Sequence, residues 1–267
     1  MNKRGRRKTR RKKPRKNTWW RRFRRKYARQ ITAICIILVF VLGIKFANKY
    51  LDPVPVPVER WTTETSTADY HGIDVSKHQG KINWDKVAED HNIQFAYIKA
   101  TEGESIQDSR YKENVRNARR VGIKVGSYHY FIGRKSAKEQ FRNFQKLVSR
   151  KEQDLLPCVD VEEKGNSTIG RAELQANLKE FLELVKDEYG QYPVIYSQYS
   201  FYNDMLAPEF NDYFIFIARY SSQKPVLKGQ GTYRMWQYSE RGKVNGIKGH
   251  VDLDRFTNGT DLQDILY

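Results

Sequence analysis

Short runs of apolar residues alternate with helical patterns from residue 71 onward. The runs predict buried strands, and segments with apolar residues three or four positions apart predict amphipathic helices. Eight strands are predicted, at 72–75, 95–100, 125–131, 155–161, 193–196, 214–218, 235–238 and 251–253. Helical patterns follow each of the first four, and a short helix is expected at 200–206 after the fifth.

The alternation of strands and helices indicates an α/β fold with a parallel sheet. Eight strands suggest an irregular TIM-like barrel of about five β/α units followed by three strands. Local signals agree: Ser136 and Glu139 form a capping box, and Gly122 and Gly190 end the helices on either side of it. Chemistry in such barrels lies at the carboxyl ends of the strands.

A different pattern precedes the barrel. Residues 31–44 are uncharged and almost wholly apolar, and with their neighbours to residue 47 they predict a single transmembrane helix of marginal length. Residues 48–69 are rich in Pro and Thr, which is typical of a semi-rigid linker. The predicted domains are therefore a tail at 1–30, an anchor at 31–47, a linker at 48–69 and a barrel at 70–267.

The formal net charge of +18 belongs to the tail. Residues 1–30 contain 17 Lys and Arg and no acid, which leaves the remainder nearly neutral. The positive-inside rule predicts a cytoplasmic N-terminus and a barrel outside the membrane. A cleaved signal peptide and a nucleic-acid-binding arm are alternatives. The long tail and Lys45 disfavour the former, and the adjoining apolar span makes anionic lipid headgroups the expected partner instead of nucleic acid.

Two acids one residue apart, Asp160 and Glu162, follow the fourth apolar run. On a strand they point to the same side, and a partly apolar site would push their pKa values apart, as acid/base chemistry on a glycosidic bond requires. A solvated loop is the alternative for the pair alone. Asp74 in the first strand, and Asp252 and Asp254 in the last, favour a shared acidic cleft.

Aromatic residues fall on the same strands, namely Tyr128, Tyr130, Tyr196 and Trp236. Each by itself suits core packing, but together with clustered acids they suit a polysaccharide, because sugar rings stack on aromatic rings. The five His residues show no metal-ligand spacing, so no metal or other cofactor is predicted, and His129 is expected to pack behind the third strand. Cys35 and Cys158 are not expected to pair.

Several segments together resemble glycoside hydrolase family 25, the lysozymes or N-acetylmuramidases of the Chalaropsis type. They are 71–76, 79–80, 98–103, 126–130, 160–162, 236–239 and 249–252. The resemblance implies a flattened barrel that cleaves the β-1,4 bond between N-acetylmuramic acid and N-acetylglucosamine in the peptidoglycan glycan strand. It implies that Glu162 is the general acid, Asp160 its partner, and Asp74 and Asp252 further catalytic acids. Lys99 and Glu102 join the four aromatic residues as predicted substrate-binding residues.

The resemblance has two departures, Tyr130 where Phe is commoner and Cys158 before the acidic pair. Cys158 occupies the place of the first Asp in the chitinase Asp-x-Asp-x-Glu motif, which disfavours a chitinase-like hexosaminidase. A wall-binding module without turnover is the other alternative, and the four acids argue against it. Asp160 either activates water or orients the substrate's acetamido group as nucleophile, and we favour the latter. A monomer is expected.

Overall fold

The computed structural model describes residue 26 and residues 70–267. The barrel domain predicted at 70–267 is therefore described throughout. The predicted anchor at 31–47, the linker at 48–69 and all of the tail except Lys26 lie outside the described residues. Within the described part of the chain, no helix combines the length and apolarity needed to cross a bilayer.

Within residues 70–267, nine strands form one sheet. They are β1 (Gly72–Val75), β2 (Phe95–Glu102), β3 (Ile106–Gln107), β4 (Lys124–Tyr130), β5 (Cys158–Asp160), β6 (Val194–Gln198), β7 (Ile215–Ala218), β8 (Met235–Gly242) and β9 (Val251–Phe256). The order is β1-β9-β8-β7-β6-β5-β4-β2-β3, and an additional pairing of β1 with β2 closes eight of the strands into a barrel. The eight predicted strands are confirmed. The ninth, β3, is a two-residue strand that forms a hairpin with β2.

The last strand corrects the prediction of a parallel sheet. β9 runs antiparallel to both β1 and β8, whereas β1, β2 and β4 to β8 run parallel to one another. The physical reason is the connection from β8 to β9, residues 243–250, which is too short to carry a helix back across the sheet. Asp252 therefore lies at the start of its strand, yet at the barrel end where the parallel strands finish.

Helices cover the outside of the barrel between the strands. They are α1 (Trp84–Val87), α2 (Tyr111–Arg120), α3 (Ala137–Leu147), α4 (Glu163–Asn166), α5 (Arg171–Tyr189) and α6 (Tyr199–Phe201), which continues as a π-helix (Tyr202–Leu206). Short 3₁₀ segments lie at Lys77–Gln79, Arg150–Glu152, Lys228–Gln230 and Leu262–Ile265. The predicted capping box is only half formed: the Ser136 hydroxyl accepts from the backbone N–H of Glu139, but the backbone N–H of Ser136 donates to Glu104 instead of to Glu139. Gly190 ends α5 in a left-handed conformation, as predicted.

Alternation along the strands separates two apolar layers. Residues of one parity, such as Ile195 and Val159, pack outward against the helices, and residues of the other, such as Phe95 and Tyr97, fill the barrel interior. The interior is tight at Gly126, where an added Cβ would lie 2.4 Å from the Tyr97 ring. Because this lower part of the barrel is filled with side chains, the polar residues of the interior can open to solvent only at one end.

Candidate active site

Four acidic residues converge at the end of the barrel where the parallel strands finish. Asp74 on β1 pairs directly with Asp252 on β9. Asp160 is the last residue of β5, and Glu162 follows two residues later at the start of α4. Tyr130 on β4 and Tyr196 on β6 flank Asp160 in the sheet register. The three separate stretches of sequence therefore meet because the barrel closes.

These acids line a cavity of about 540 Å³. Nine of the ten predicted site residues line it: Asp74, Lys99, Glu102, Tyr128, Tyr130, Asp160, Glu162, Tyr196 and Asp252. A volume of this size lies within the range that binds small ligands or parts of larger ones. Acidic groups and phenol rings are thus presented together on one concave surface.

Trp236 does not line this cavity. It is 2 % exposed, packs in the outer apolar layer, and donates its indole N–H to the Arg219 carbonyl oxygen at 2.9 Å. Its neighbour Gln237 lines the cavity instead. Successive strand residues face opposite sides, so only one of the pair can face the cleft, and the predicted contact between Trp236 and substrate does not fit this placement.

Burial raises the pKa of both members of the central pair. The pKa of Asp160, which is 7 % exposed, is raised well above its usual value by burial and then by the nearby charge of Glu162, with Lys99 acting in the opposite direction. Burial also raises the pKa of Glu162, while Lys99 and Lys164 lower it. The Oδ1 atom of Asp160 is buried and has no hydrogen-bond partner among the described residues. The site therefore favours protonation within this pair.

The second pair of acids behaves in the same way. Burial raises the pKa of Asp74 well above its usual value, and the charges of Asp252 and Asp254 add to the effect. Burial, followed by the nearby charge of Glu240, raises the pKa of Asp252 to about 6. Adjacent carboxyl groups in a partly dehydrated site cannot all ionise near neutral pH. The floor of the cleft therefore holds protons that exposed carboxylates would release.

Asp254 does not line the cavity and is more deeply buried than the other acids. It lies two residues along β9 from Asp252 and is fully buried, and its two carboxylate oxygens have no hydrogen-bond partner in the described part of the chain. Burial, followed by the charge of Asp252, raises its pKa well above the usual value. Strand alternation predicts that Asp254 lies on the same face as Asp252, but the sequence does not predict that Asp254 is buried below the cavity.

Lys99, which lies in segment 98–103, is the cation that lowers the pKa of both Asp160 and Glu162. Its ammonium group lies 2.8 Å from a carboxylate oxygen of Glu102 and 4.7 Å from the centroid of the Tyr130 ring. The phenol oxygen of Tyr130 is buried and has no hydrogen-bond partner among the residues described. These contacts fix Lys99 beside the carboxyl groups whose pKa values it lowers.

Sequence reasoning missed several residues of the cavity wall, namely His78, Gln79, Lys164, Gln198, Tyr220, Gln237 and Glu240. Gln79 and Gln237 lie inside the resemblance motifs and could have been found by strand parity or motif membership. Tyr220 lies in the loop after β7, where the sequence carries no pattern that predicts its direction.

The histidines do not form a metal site within residues 70–267, and no group of three potential ligands is present in that described part. His129 is fully buried behind β4, as predicted, with its Nδ1 2.7 Å from the Thr101 hydroxyl and its Nε2 3.2 Å from Gln140 Oε1. Burial lowers its pKa to about 3, so it stays neutral and structural.

The arrangement can perform acid/base chemistry. A partly buried carboxylic acid with a raised pKa can donate a proton, and a neighbouring carboxylate can orient or activate a nucleophile. Tyrosine rings along the wall can stack on sugar rings, while polar groups fix their orientation. Cleavage of a glycosidic bond requires these components and no redox group.

Comparison with known proteins agrees with this chemistry. The family model described as glycosyl hydrolases family 25 matches residues 73–247. YegX of Escherichia coli strain K12 is 41 % identical over 194 residues, covering 71 % of this chain and 70 % of that protein. Lysozyme M1 of Streptomyces globisporus is 30 % identical over 217 residues, covering 76 % of this chain and 73 % of that protein.

The fold has a matching solved structure. A family 25 glycosyl hydrolase from Bacillus anthracis superposes with a TM-score of 0.66 and 28 % identity, covering 75 % of this chain and 97 % of that one. The barrel domain therefore corresponds to nearly the whole of that enzyme.

Proposed function

This chain belongs to glycosyl hydrolase family 25 and is a peptidoglycan-hydrolysing muramidase, and from that premise we propose that Glu162 and Asp160 carry out the cleavage. The bond cleaved is the β-1,4 linkage between N-acetylmuramic acid and N-acetylglucosamine. Asp74 and Asp252 complete the catalytic acids in this proposal. The observation that carries it is the convergence of all four carboxyl groups, from three separate stretches of sequence, on one cavity lined with tyrosines.

Glu162 is the proposed general acid. It lies at the junction of β5 and α4 and lines the cavity, where burial raises its pKa and so favours the protonated form that a general acid needs. Lys99 and Lys164 lower the same pKa, which limits the rise and eases transfer of the proton. A general acid works best when its pKa lies near the operating pH. The proton passes to the glycosidic oxygen as that oxygen leaves with the N-acetylglucosamine residue.

Asp160 is the proposed orienting group. It lines the cavity beside Glu162, and a carboxylate oxygen there can accept from an amide N–H donor such as the substrate acetamido group. The acetamido oxygen would attack the anomeric carbon of N-acetylmuramic acid as the C1–O bond breaks, giving an oxazolinium ring. Water then opens that ring at C1 and returns a proton to Glu162. The two displacements leave the anomeric configuration unchanged, whereas direct attack by water would invert it.

Tyr128, Tyr130, Tyr196, Lys99 and Glu102 are proposed to bind the glycan. Their place in the cavity lining supports this role, and no metal or cofactor is needed for the chemistry. The experiment is digestion of defined peptidoglycan followed by mass spectrometry of the released muropeptides. N-acetylmuramic acid at the reducing end is expected. N-acetylglucosamine at that position would contradict the assignment.

We further propose that the enzyme is a monomer held at the cytoplasmic membrane by residues 31–47, with a cytoplasmic N-terminus and the barrel in the cell envelope. The basic tail next to an apolar segment supports this orientation, and anionic headgroups suit the tail. Fractionation of cells producing the full chain, followed by external protease treatment, tests the proposal. Recovery of an intact barrel in the soluble fraction would contradict it.

A further inference from the structure

The Gln237 side chain is held by three hydrogen bonds in the wall of the cavity. Its Oε1 accepts from the Tyr196 hydroxyl at 2.9 Å and from the Tyr220 hydroxyl at 2.5 Å. Its Nε2 donates to Oδ2 of Asp74 at 2.5 Å. Gln237 is only 2 % exposed, so these partners are not readily replaced by water. The amide therefore connects two phenol groups to one of the proposed catalytic acids.

The amide is oriented with its NH₂ group towards Asp74 and its oxygen towards the two tyrosine hydroxyls. An ionised carboxylate only accepts hydrogen bonds, so this orientation favours the ionised form of Asp74 and opposes the effect of burial on its pKa. The carbonyl end then faces two hydroxyl groups, which can both donate to it. Rotating the amide by half a turn would place its oxygen against the carboxylate. The two tyrosines thus stabilise the orientation that presents a donor to Asp74.

Tyr220 differs from Tyr196 in its accessibility. Tyr196 is 8 % exposed within the barrel, whereas Tyr220 is 47 % exposed at the rim of the cavity, in the loop after β7. One part of Tyr220 is therefore open to a glycan, while its hydroxyl is committed to Gln237. The Gln237 side chain therefore connects Tyr220 at the rim of the cleft to Asp74 at its acidic floor.

We propose that Gln237 is a positioning residue for Asp74 and that Tyr220 acts on Asp74 through Gln237. The inference rests on the proposed function, because it assumes that Asp74 is one of the catalytic acids. Tyr220 contributes to turnover through its hydroxyl and to glycan binding through its ring.

The charge around Asp74 explains why a donor is needed there. The titratable groups that face it are Asp252 and Asp254 on β9, Asp160 and Cys158 on β5, Tyr128 on β4, Tyr196 on β6, and Tyr220. None of these groups is a cation. Burial and the neighbouring acids raise the pKa of Asp74, whereas the hydrogen bond from Gln237 favours its ionised form and lowers that pKa. Loss of the donor should therefore raise the pKa of Asp74.

The first test removes the amide. Gln237→Met keeps the side-chain length and should lower kcat by about 10- to 100-fold, because a hydrogen bond to a charged acceptor is lost. The acid limb of the pH profile should move to higher pH, since the pKa of Asp74 rises. A kcat and an acid limb that both stay within about twofold of wild type would overturn the positioning role. Gln237→Asn, one methylene shorter, gives a second variant if Gln237→Met does not fold.

The second test separates the hydroxyl of Tyr220 from its ring. Tyr220→Phe should lower kcat by about 2- to 10-fold with little change in KM, whereas Tyr220→Ala should also raise KM. In the Gln237→Met background, Tyr220→Phe should have no further effect on kcat, because its acceptor is already gone. If the two fold-losses multiply instead, Tyr220 acts independently of Gln237, and the inference is wrong.

A measurement without turnover keeps this inference distinct from the proposed function. Carboxyl ¹³C NMR should show a higher pKa for Asp74 in Gln237→Met than in wild type, and an unchanged pKa would overturn the inference even if the enzyme is a muramidase. Failure of the wild type to release muramidase products would overturn the proposed function instead. Tyr192→Phe is the matched control: its hydroxyl donates to Glu183 outside the cavity, so kcat should not change.

Discussion

Glu162 and Glu163 are adjacent in sequence but lie in different environments: Glu162 lines the cavity, whereas Glu163 is exposed outside it. The difference arises at the junction of β5 and α4, where the chain leaves the barrel. Identical chemistry in two environments provides a direct comparison of a proposed catalytic acid with an ordinary surface acid.

Glu162→Gln should lower the release of reducing ends from purified peptidoglycan by about 10²- to 10⁴-fold, because the amide cannot supply the proton. Binding to insoluble peptidoglycan should be largely retained, since the side-chain shape is conserved. Glu163→Gln is the matched control and should keep activity within about twofold. Equal activity of the two variants would remove Glu162 from the mechanism.

Replacing Lys99 by Met should move the whole pH–activity profile to higher pH. The ammonium group favours the ionised forms of Asp160 and Glu162, so its loss raises both pKa values. The acid limb, which requires ionised Asp160 as well as ionised Asp74, and the basic limb, which requires protonated Glu162, then shift in the same direction. Initial rates measured between pH 4 and pH 9 test this. Lys138→Met removes an exposed partner of Glu180 and should leave both limbs in place.

Asp252→Asn should stabilise the fold at alkaline pH at the expense of activity. The pKa of Asp252 is raised to about 6 in the folded protein, so the native state loses stability as pH rises from the unfolded pKa through 6. Asn does not titrate, so the variant does not lose stability over this pH range. Its free energy of unfolding should exceed that of wild type by about 1–3 kcal/mol at pH 8. Urea unfolding at pH 4 and pH 8 measures the difference. A gain that is larger at pH 4 than at pH 8 would contradict this sign.

His129→Phe should destabilise the protein most near neutral pH. The substitution leaves the Thr101 hydroxyl and the Gln140 carbonyl with one hydrogen bond fewer, at a cost of about 1–3 kcal/mol. The wild-type imidazole has its pKa lowered to about 3, so its contribution to stability falls as pH drops from 6.5 toward 3. The difference in unfolding free energy between wild type and variant should shrink at pH 4. A difference that grows at acid pH would show that His129 is charged in the fold.

The strands and the acidic residues were accessible from the sequence because both depend on local patterns. Apolar runs located the eight barrel strands, and period-two alternation placed Asp160 and Glu162 on one side. The direction of β9 was not accessible in this way, because a short apolar run looks the same in a parallel and an antiparallel strand. Asp252 was predicted at the carboxyl end of a parallel strand. It lies at that end of the barrel, but because β9 is antiparallel it lies near the start of its strand.

The polar groups behind the acids were harder to identify. Gln237 acts through an amide whose partners, Asp74 and Tyr220, are distant in sequence, and no local pattern records such contacts. Aromatic composition favours Trp236 as a sugar contact, whereas alternation along β8 turns its neighbour Gln237 towards the cavity instead. The burial of Asp254 depends on the packing of the barrel interior, which composition does not reveal.

The pairing of β1 with β9 also bears on when the enzyme becomes active. The floor of the cleft joins the first strand of the barrel to the last, and its contacts therefore span most of the domain's sequence. Contacts of such high sequence separation require loop closure and tend to form late in folding. A chain still emerging during synthesis has Asp74 without Asp252. If Asp252 is one of the catalytic acids, as proposed, a chain that ends before β9 therefore has an incomplete site.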